Sequence, residues 1–329
     1  MKNESFPVKR LFLASLLAES LIHPFGTITG ALPARLAIFS GGLIFFALTM
    51  LFLVYSAAVQ KVPNRWITVI LCAAMLLSTA MELRQGQKFY SYVMDRQLVP
   101  IAFLLLVLSA AYYGAHAGLA TLERTAGIIF AVVFLSLSAL LISIWPKLSF
   151  SHLQTDSINF KQVVQTAGIH FYLPPALVLI PHLNSSKKTA HEGVRLLFIA
   201  FAIGCALQML GEMTLGNAYA GQQQPLYTVA RLGGISVFRR LDAIHVSVWL
   251  LLFILKVSFY IASICCLWKI KFPTHSSSNV RMISILGILL CLMAIRRMDE
   301  RTVFAVQQGL LFVGMLLSML YRRRRAQTK

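Results

Sequence analysis

Gly168-Ile169-His170-Phe171-Tyr172-Leu173-Pro174-Pro175 is the stretch on which the fold turns. It lies in an apolar segment at 161–181, and roughly 20 such residues cross a bilayer core. Two consecutive prolines lack backbone donors and clash with the preceding turn, so a helix through this segment must break. The backbone groups set free cannot face lipid and must line protein or a wet cavity. A second interruption, Ile22-His23-Pro24-Phe25-Gly26, falls in the apolar run at 10–31.

Outward from these two breaks, apolar segments recur at 36–59, 66–83, 98–117, 124–145, 192–215, 243–268, 281–295 and 302–321. Together they predict about ten transmembrane helices in an all-α integral membrane protein. Over 329 residues the chain is 58% hydrophobic and 12% charged. A soluble domain is nearer 45–50% and about 25%. That composition excludes a secreted disulfide scaffold, a disordered chain and an ordinary cytosolic enzyme. The apolar runs are continuous rather than alternating, which excludes a barrel. The polar stretch Glu82 to Arg96 reads as a short surface helix after the third span. The stretch 215–242, with Gly221-Gln-Gln-Gln-Pro225 and Gly233-Gly234, is too rich in turn residues to span.

Ten spans within one polytopic domain, 1–329, divide into two repeats of five, at about 10–145 and 161–321. Both breaks then fall in the first span of a repeat. A single proline kink usually reflects packing alone, but interrupted helices at matching positions point to a binding site between inverted repeats. His23, Pro24, Gly26, Gly168, His170 and Tyr172 line the two breaks and are candidate ligand-binding residues. Bare N–H groups near Gly26 or Gly168 are expected to hold a carboxylate.

Lys and Arg number 30 against 11 acidic residues, a formal net charge of +19. The basic residues flank apolar segments, which marks cytoplasmic loops rather than a nucleic-acid surface. Alternating the spans from an inside N-terminus puts more of them, including Arg322 to Arg325, on the side of the termini. Both termini are therefore expected in the cytoplasm. Lys9-Arg10 followed by Leu11 to Ile22 has the look of a signal peptide. The sequence runs on into further apolar residues, however, and reads better as a first helix that breaks. Cys72, Cys205, Cys265, Cys266 and Cys291 all lie in apolar runs without metal-ligand spacing and read as packing residues. No paired carboxylates, phosphate-cradling loop or His cluster suggests an enzyme, a metal site or a cofactor.

One charge lies deep within a span. Segment eight contains Asp242, His245, Trp249, Lys256 and Tyr260, with Lys256 about midway along it. A charge at that depth costs about 2.5–3.5 kcal/mol on insertion scales, so it is expected to face the bundle interior or a cavity and to have a partner. Spacings of seven place Asp242, Trp249 and Lys256 on nearly one face, which His245 and Tyr260 extend. Lys256 is either a tether to a carboxylate on a facing helix or a substitute for a coupling cation. Glu19, Glu82 and Glu212 are the carboxylates within reach of such a role.

The same region carries a family resemblance. Gln224-Pro225-Leu-Tyr227-Thr-Val-Ala230-Arg231 precedes Phe238-Arg-Arg240-Leu241-Asp242-Ala243-Ile244. Trp249 and Phe253-Ile-Leu-Lys256-Val-Ser258-Phe-Tyr260 follow. In order and spacing these resemble the spore germination permease family, the B subunits of germinant receptors. Tyr113-Gly114 with Arg124, and Pro181-x-Leu183-Asn184 with Lys187-Lys188, are weaker echoes. The resemblance implies a fold similar to amino acid–polyamine–organocation transporters, a LeuT-like 5+5 inverted repeat with broken helices 1 and 6. It implies residence in the spore inner membrane or a plasma membrane. It further implies binding of a small nutrient such as an amino acid, with germination signalled through A and C subunits. On that reading Trp249, Lys256 and Tyr260 join the ligand-binding set. A secondary amino-acid transporter, proton-coupled or not, and a scaffold subunit that has lost its ligand are the alternatives.

Overall fold

A computed structural model describes residues 8–22, 32–59, 64–93, 100–153, 158–183, 187–222, 224–234, 242–272 and 276–327. Among them the chain forms twelve α-helices. The first five are α1 (Lys9–Ile22), α2 (Ala34–Ala58), α3 (Arg65–Val93), α4 (Pro100–Ala117) and α5 (Leu119–Ile144). The interrupted sixth span is α6 (Phe160–Ile169) and α7 (Pro175–Leu183). Then follow α8 (Lys187–Leu215), α9 (Pro225–Leu232), α10 (Asp242–Lys271), α11 (Ser277–Ile295) and α12 (Glu300–Gln327). Eight of these helices are long and apolar enough to cross a membrane. With α1 and the α6–α7 pair they give the ten spans expected.

Helix starts follow local chemistry. Asn159 caps α6 by accepting the Lys161 N–H at 3.0 Å, while Gln162 reaches back to the Asn159 N–H. Asp299 accepts the amides of Arg301 and Thr302 and starts α12. Gly118, at φ +87°, makes the sharp turn from α4 into α5, a conformation that residues with a Cβ rarely adopt. Two other helices take their caps from distant parts of the chain. Glu212 of α8 accepts the first amide of α2. Glu123 of α5 accepts the Arg10 and Leu11 amides of α1 at 2.9 and 3.0 Å. Each satisfies N–H groups that a helix start leaves bare.

Four boundaries and faces differ from the sequence reading. The polar stretch after the third span is no separate surface helix. It continues α3 without a break to Val93, and Glu82, Leu83, Gly86 and Phe89 on its inner face are buried. At 29 residues α3 is about 43 Å long, more than the ~30 Å core. The described part of the 215–242 stretch holds a 3-10 turn at Gly216–Gly221 and the short helix α9. The last helix runs on past 321 to Gln327. Finally, the stripe of Asp242, His245, Trp249, Lys256 and Tyr260 is buried as the spacing predicts, with Ile244 and Leu251 exposed on the other face, but burial widens along α10. From Leu255 to Ile264 every residue is buried, because α1, α3, α4, α5 and α11 pack around this part of α10.

The outside of the bundle is apolar, with Phe39, Phe46, Leu105, Phe134 and Leu290 exposed. In a bilayer these side chains meet acyl chains, and polar groups are turned inward.

Candidate functional site

The sixth span breaks where the prolines require it. α6 ends at Ile169, residues 171–174 are non-helical, and α7 begins at Pro175. His170 closes α6 by donating its backbone N–H to the Thr166 carbonyl at 3.0 Å, and its side chain is buried. Tyr172 stacks on Phe304 of α12 with ring centroids 6.0 Å apart.

The polarity of this break differs from the expectation at Gly168. Gly168 lies in the last turn of α6, where the bare backbone groups are carbonyls rather than N–H groups. It is exposed, with open space where a side chain would be. Across the gap, Pro174 and Pro175 have no N–H to offer. The Leu173 N–H is taken by Gln308 Oε1 of α12 at 2.7 Å. The described half of the site therefore presents acceptors more than donors. That bond also orients the Gln308 amide: its oxygen faces Leu173, and its buried Nε2 donor has no partner among the described residues. The matching break at His23, Pro24 and Gly26 lies outside the described residues.

The second half of α7 carries another proline, Pro181, followed by the buried His182. His182 Nε2 is 2.7 Å from the Tyr55 hydroxyl of α2. This contact ties the inner half-helix to the first repeat.

On α10, Lys256 is 1% exposed, and its Nζ meets Glu82 Oε1 of α3 at 2.7 Å. Of the three carboxylates in question, Glu82 is the one that α3 brings to Lys256. Glu212 lies at the start of α2, and the Glu19 side chain is outside those described. The Lys256 ammonium also lies 5.8 Å from the Tyr260 ring centre. One turn and two turns before Lys256, Phe253 and Trp249 stack at 5.0 Å. Phe89 of α3 packs on Trp249 at 4.2 Å and on Tyr227 of α9 at 6.3 Å. Tyr227, Trp249 and Phe253 thus form, with Phe89, one buried aromatic wall between α3, α9 and α10. Gly86 lets the wall close: a Cβ there would lie 2.6 Å from the Phe253 ring.

A third polar contact lies across α3 and α12, where Gln307 Nε2 donates to Ser78 at 2.9 Å with both residues buried. Gln307 and Gln308 were missed from the sequence, although two amides in the middle of an apolar span are a costly placement that marks functional or bridging residues. Trp249 and Lys256 are set against α3, with Tyr260 one turn further along α10, and His170 and Tyr172 lie at the α6–α7 break, where Tyr172 meets α12. The five cysteines are free thiols. No cluster of His, Cys, Asp and Glu fit to hold a metal occurs among the described residues.

No family model matches the chain, and no curated protein matches it. Its architecture is nonetheless shared with a solved transporter. The fold is similar to that of Mhp1, a nucleobase–cation-symport-1 family transporter solved in a closed conformation with bromovinylhydantoin bound. The TM-score is 0.58 at 11% identity, covering 98% of this chain and 92% of that one. The chain has the LeuT-like 5+5 inverted repeat. It is an integral membrane protein of transporter-like architecture.

Proposed function

We propose that this protein binds a small nutrient, such as an amino acid, and acts as the ligand-binding B-type subunit of a spore germinant receptor. The observation that carries the reading is the interrupted sixth span, with its bare helix end and a Gln308 donor that has no partner among the described residues. The ligand sits between that break and α10. His170 and Tyr172 flank it on one side, and Trp249, Lys256 and Tyr260 on the other. His23, Pro24 and Gly26 complete the site from the first span. The α6 end attracts an ammonium group, because a helix C-terminus carries partial negative charge. The carboxylate is left to donors such as Gln308 and to the first span. Mhp1 holds a small molecule in the same fold, which is consistent with a ligand here.

The membrane is the inner membrane of an endospore or a plasma membrane, with both termini cytoplasmic. Occupancy favours one arrangement of the bundle and biases the A and C partner subunits. A ligand does this only through unequal affinity for the two arrangements. The resemblance of the α9–α10 region supports the receptor assignment.

Secondary transport is the second reading, favoured by the symporter fold. Two measurements decide. Purified protein is titrated with labelled amino acids, and the same protein in liposomes is assayed for uptake. Binding without sustained flux is expected of the receptor; steady accumulation assigns a transporter. Equal binding by wild type, His170→Leu and Gln308→Leu would show that the site is misplaced. No binding of any amino acid leaves the scaffold reading in possession.

A further inference from the structure

A second charged side chain is buried in the bundle, away from the Lys256–Glu82 pair. Arg281 of α11 is 9% exposed. Its guanidinium lies 5.9 Å from the ring centre of Tyr112 on α4. Among the described residues its Nε has no hydrogen-bond partner, and no carboxylate pairs with it. A buried charge without a counter-charge is strongly unfavourable. The face of one aromatic ring offsets only part of that cost.

Among the described residues no carboxylate is left over to supply the missing anion. The chain has 11 acidic residues for 30 basic ones. Glu82, Glu192 and Glu300 are engaged by Lys256, Lys9 and Lys88. Glu123, Glu212 and Asp299 are engaged by backbone amides. Asp242 begins α10, a helix length from the Lys271 end that leads into α11.

The position suits an anion from outside. Arg281 lies about one turn inside the start of α11. The adjoining last turn of α10 carries Lys269 and Lys271, which add positive potential at this end of the bundle. Tyr112 stands near the end of α4. Basic pockets between helices at this level hold phosphate groups. A guanidinium suits them because it donates two parallel hydrogen bonds to an oxyanion.

We propose that Arg281, walled by Tyr112 between α4, α10 and α11, is a binding site for a phosphate-class oxyanion. The site is separate from the nutrient site and stands whether or not that assignment does. The anion comes either from a phospholipid headgroup or from the aqueous phase, and the test distinguishes the two.

Thermal unfolding is followed for wild type and Arg281→Met in nanodiscs of neutral phosphatidylcholine, first without phosphate and then with millimolar inorganic phosphate. It is repeated in nanodiscs containing phosphatidylglycerol. In neutral lipid without phosphate, Arg281→Met is expected to be as stable as wild type or more so, because it removes an uncompensated buried charge. One of the two anion sources is expected to raise the wild-type midpoint by several degrees and to leave Arg281→Met unmoved. Arg281→Lys keeps the charge without the two-pronged donor and is expected to need about tenfold more anion. Should Arg281→Met fail to fold, Tyr112→Leu serves in its place. It keeps the charge but opens the wall, and its anion-induced shift is expected to be smaller. Response to phosphate alone assigns an aqueous anion; response to phosphatidylglycerol alone assigns a headgroup. Equal shifts in wild type and variants, or no shift in wild type with either source, would overturn the site.

Discussion

Lys256 is the residue whose burial was clearest from sequence, since a lysine in mid-span has to turn away from lipid. Which carboxylate it meets was not legible. A seven-residue spacing gives the face of α10, but not which of the surrounding helices lies against that face. Glu82 answers because the tertiary packing lays the buried inner face of α3 alongside α10. Lys256→Met strands the Glu82 carboxylate in a buried site, so a loss of about 3–5 kcal/mol is expected. Adding Glu82→Gln to it should recover much of that loss. Denaturation of the two single variants and the double variant in detergent measures the difference; additive losses would mean the pair is not coupled. Gly86→Ala is a milder test of the same contact. Its methyl group meets the Phe253 ring, and a loss of about 1–3 kcal/mol is expected from overpacking.

At the scale of elements, the break in the sixth span was readable from Pro174-Pro175, because proline chemistry is local. The polarity of the break was not. It depends on where Gly168 falls relative to the end of α6, and on Gln308 arriving from α12 to take the Leu173 amide. Gln308→Leu leaves that N–H without an acceptor, and a destabilisation of about 1–3 kcal/mol is expected along with weakened ligand binding. Hydrogen exchange at Leu173 is the direct measurement, and faster exchange is expected. The start of α1 is likewise completed from elsewhere. Glu123 of α5 caps its amides, and Lys9 pairs with Glu192 of α8. Glu123→Ala should cost about 0.5–2 kcal/mol, the range of a lost N-cap, and speed exchange at Arg10 and Leu11. Unchanged exchange there would show that the cap contributes nothing in the membrane.

For the molecule as a whole, ten spans return the chain to the side on which it began. Single cysteines placed at 2 and 329 in a cysteine-free background should be labelled from the same side of sealed vesicles. Labelling from opposite sides would remove one span from the count. Composition and the run lengths of apolar residues determined an all-helical membrane bundle, since the bilayer demands about 20 apolar residues per span and no unpaired backbone. The matched prolines determined where the sixth span opens, since proline acts on its own helix. Only the tertiary structure decided that the middle of α10 is enclosed, that Glu82 meets Lys256, that Gln308 occupies a backbone amide at the break and that Arg281 is buried with no carboxylate beside it among the described residues. Those outcomes depend on which helices lie side by side. Hydropathy carries no such information, because every apolar segment is equally content against lipid or against another helix.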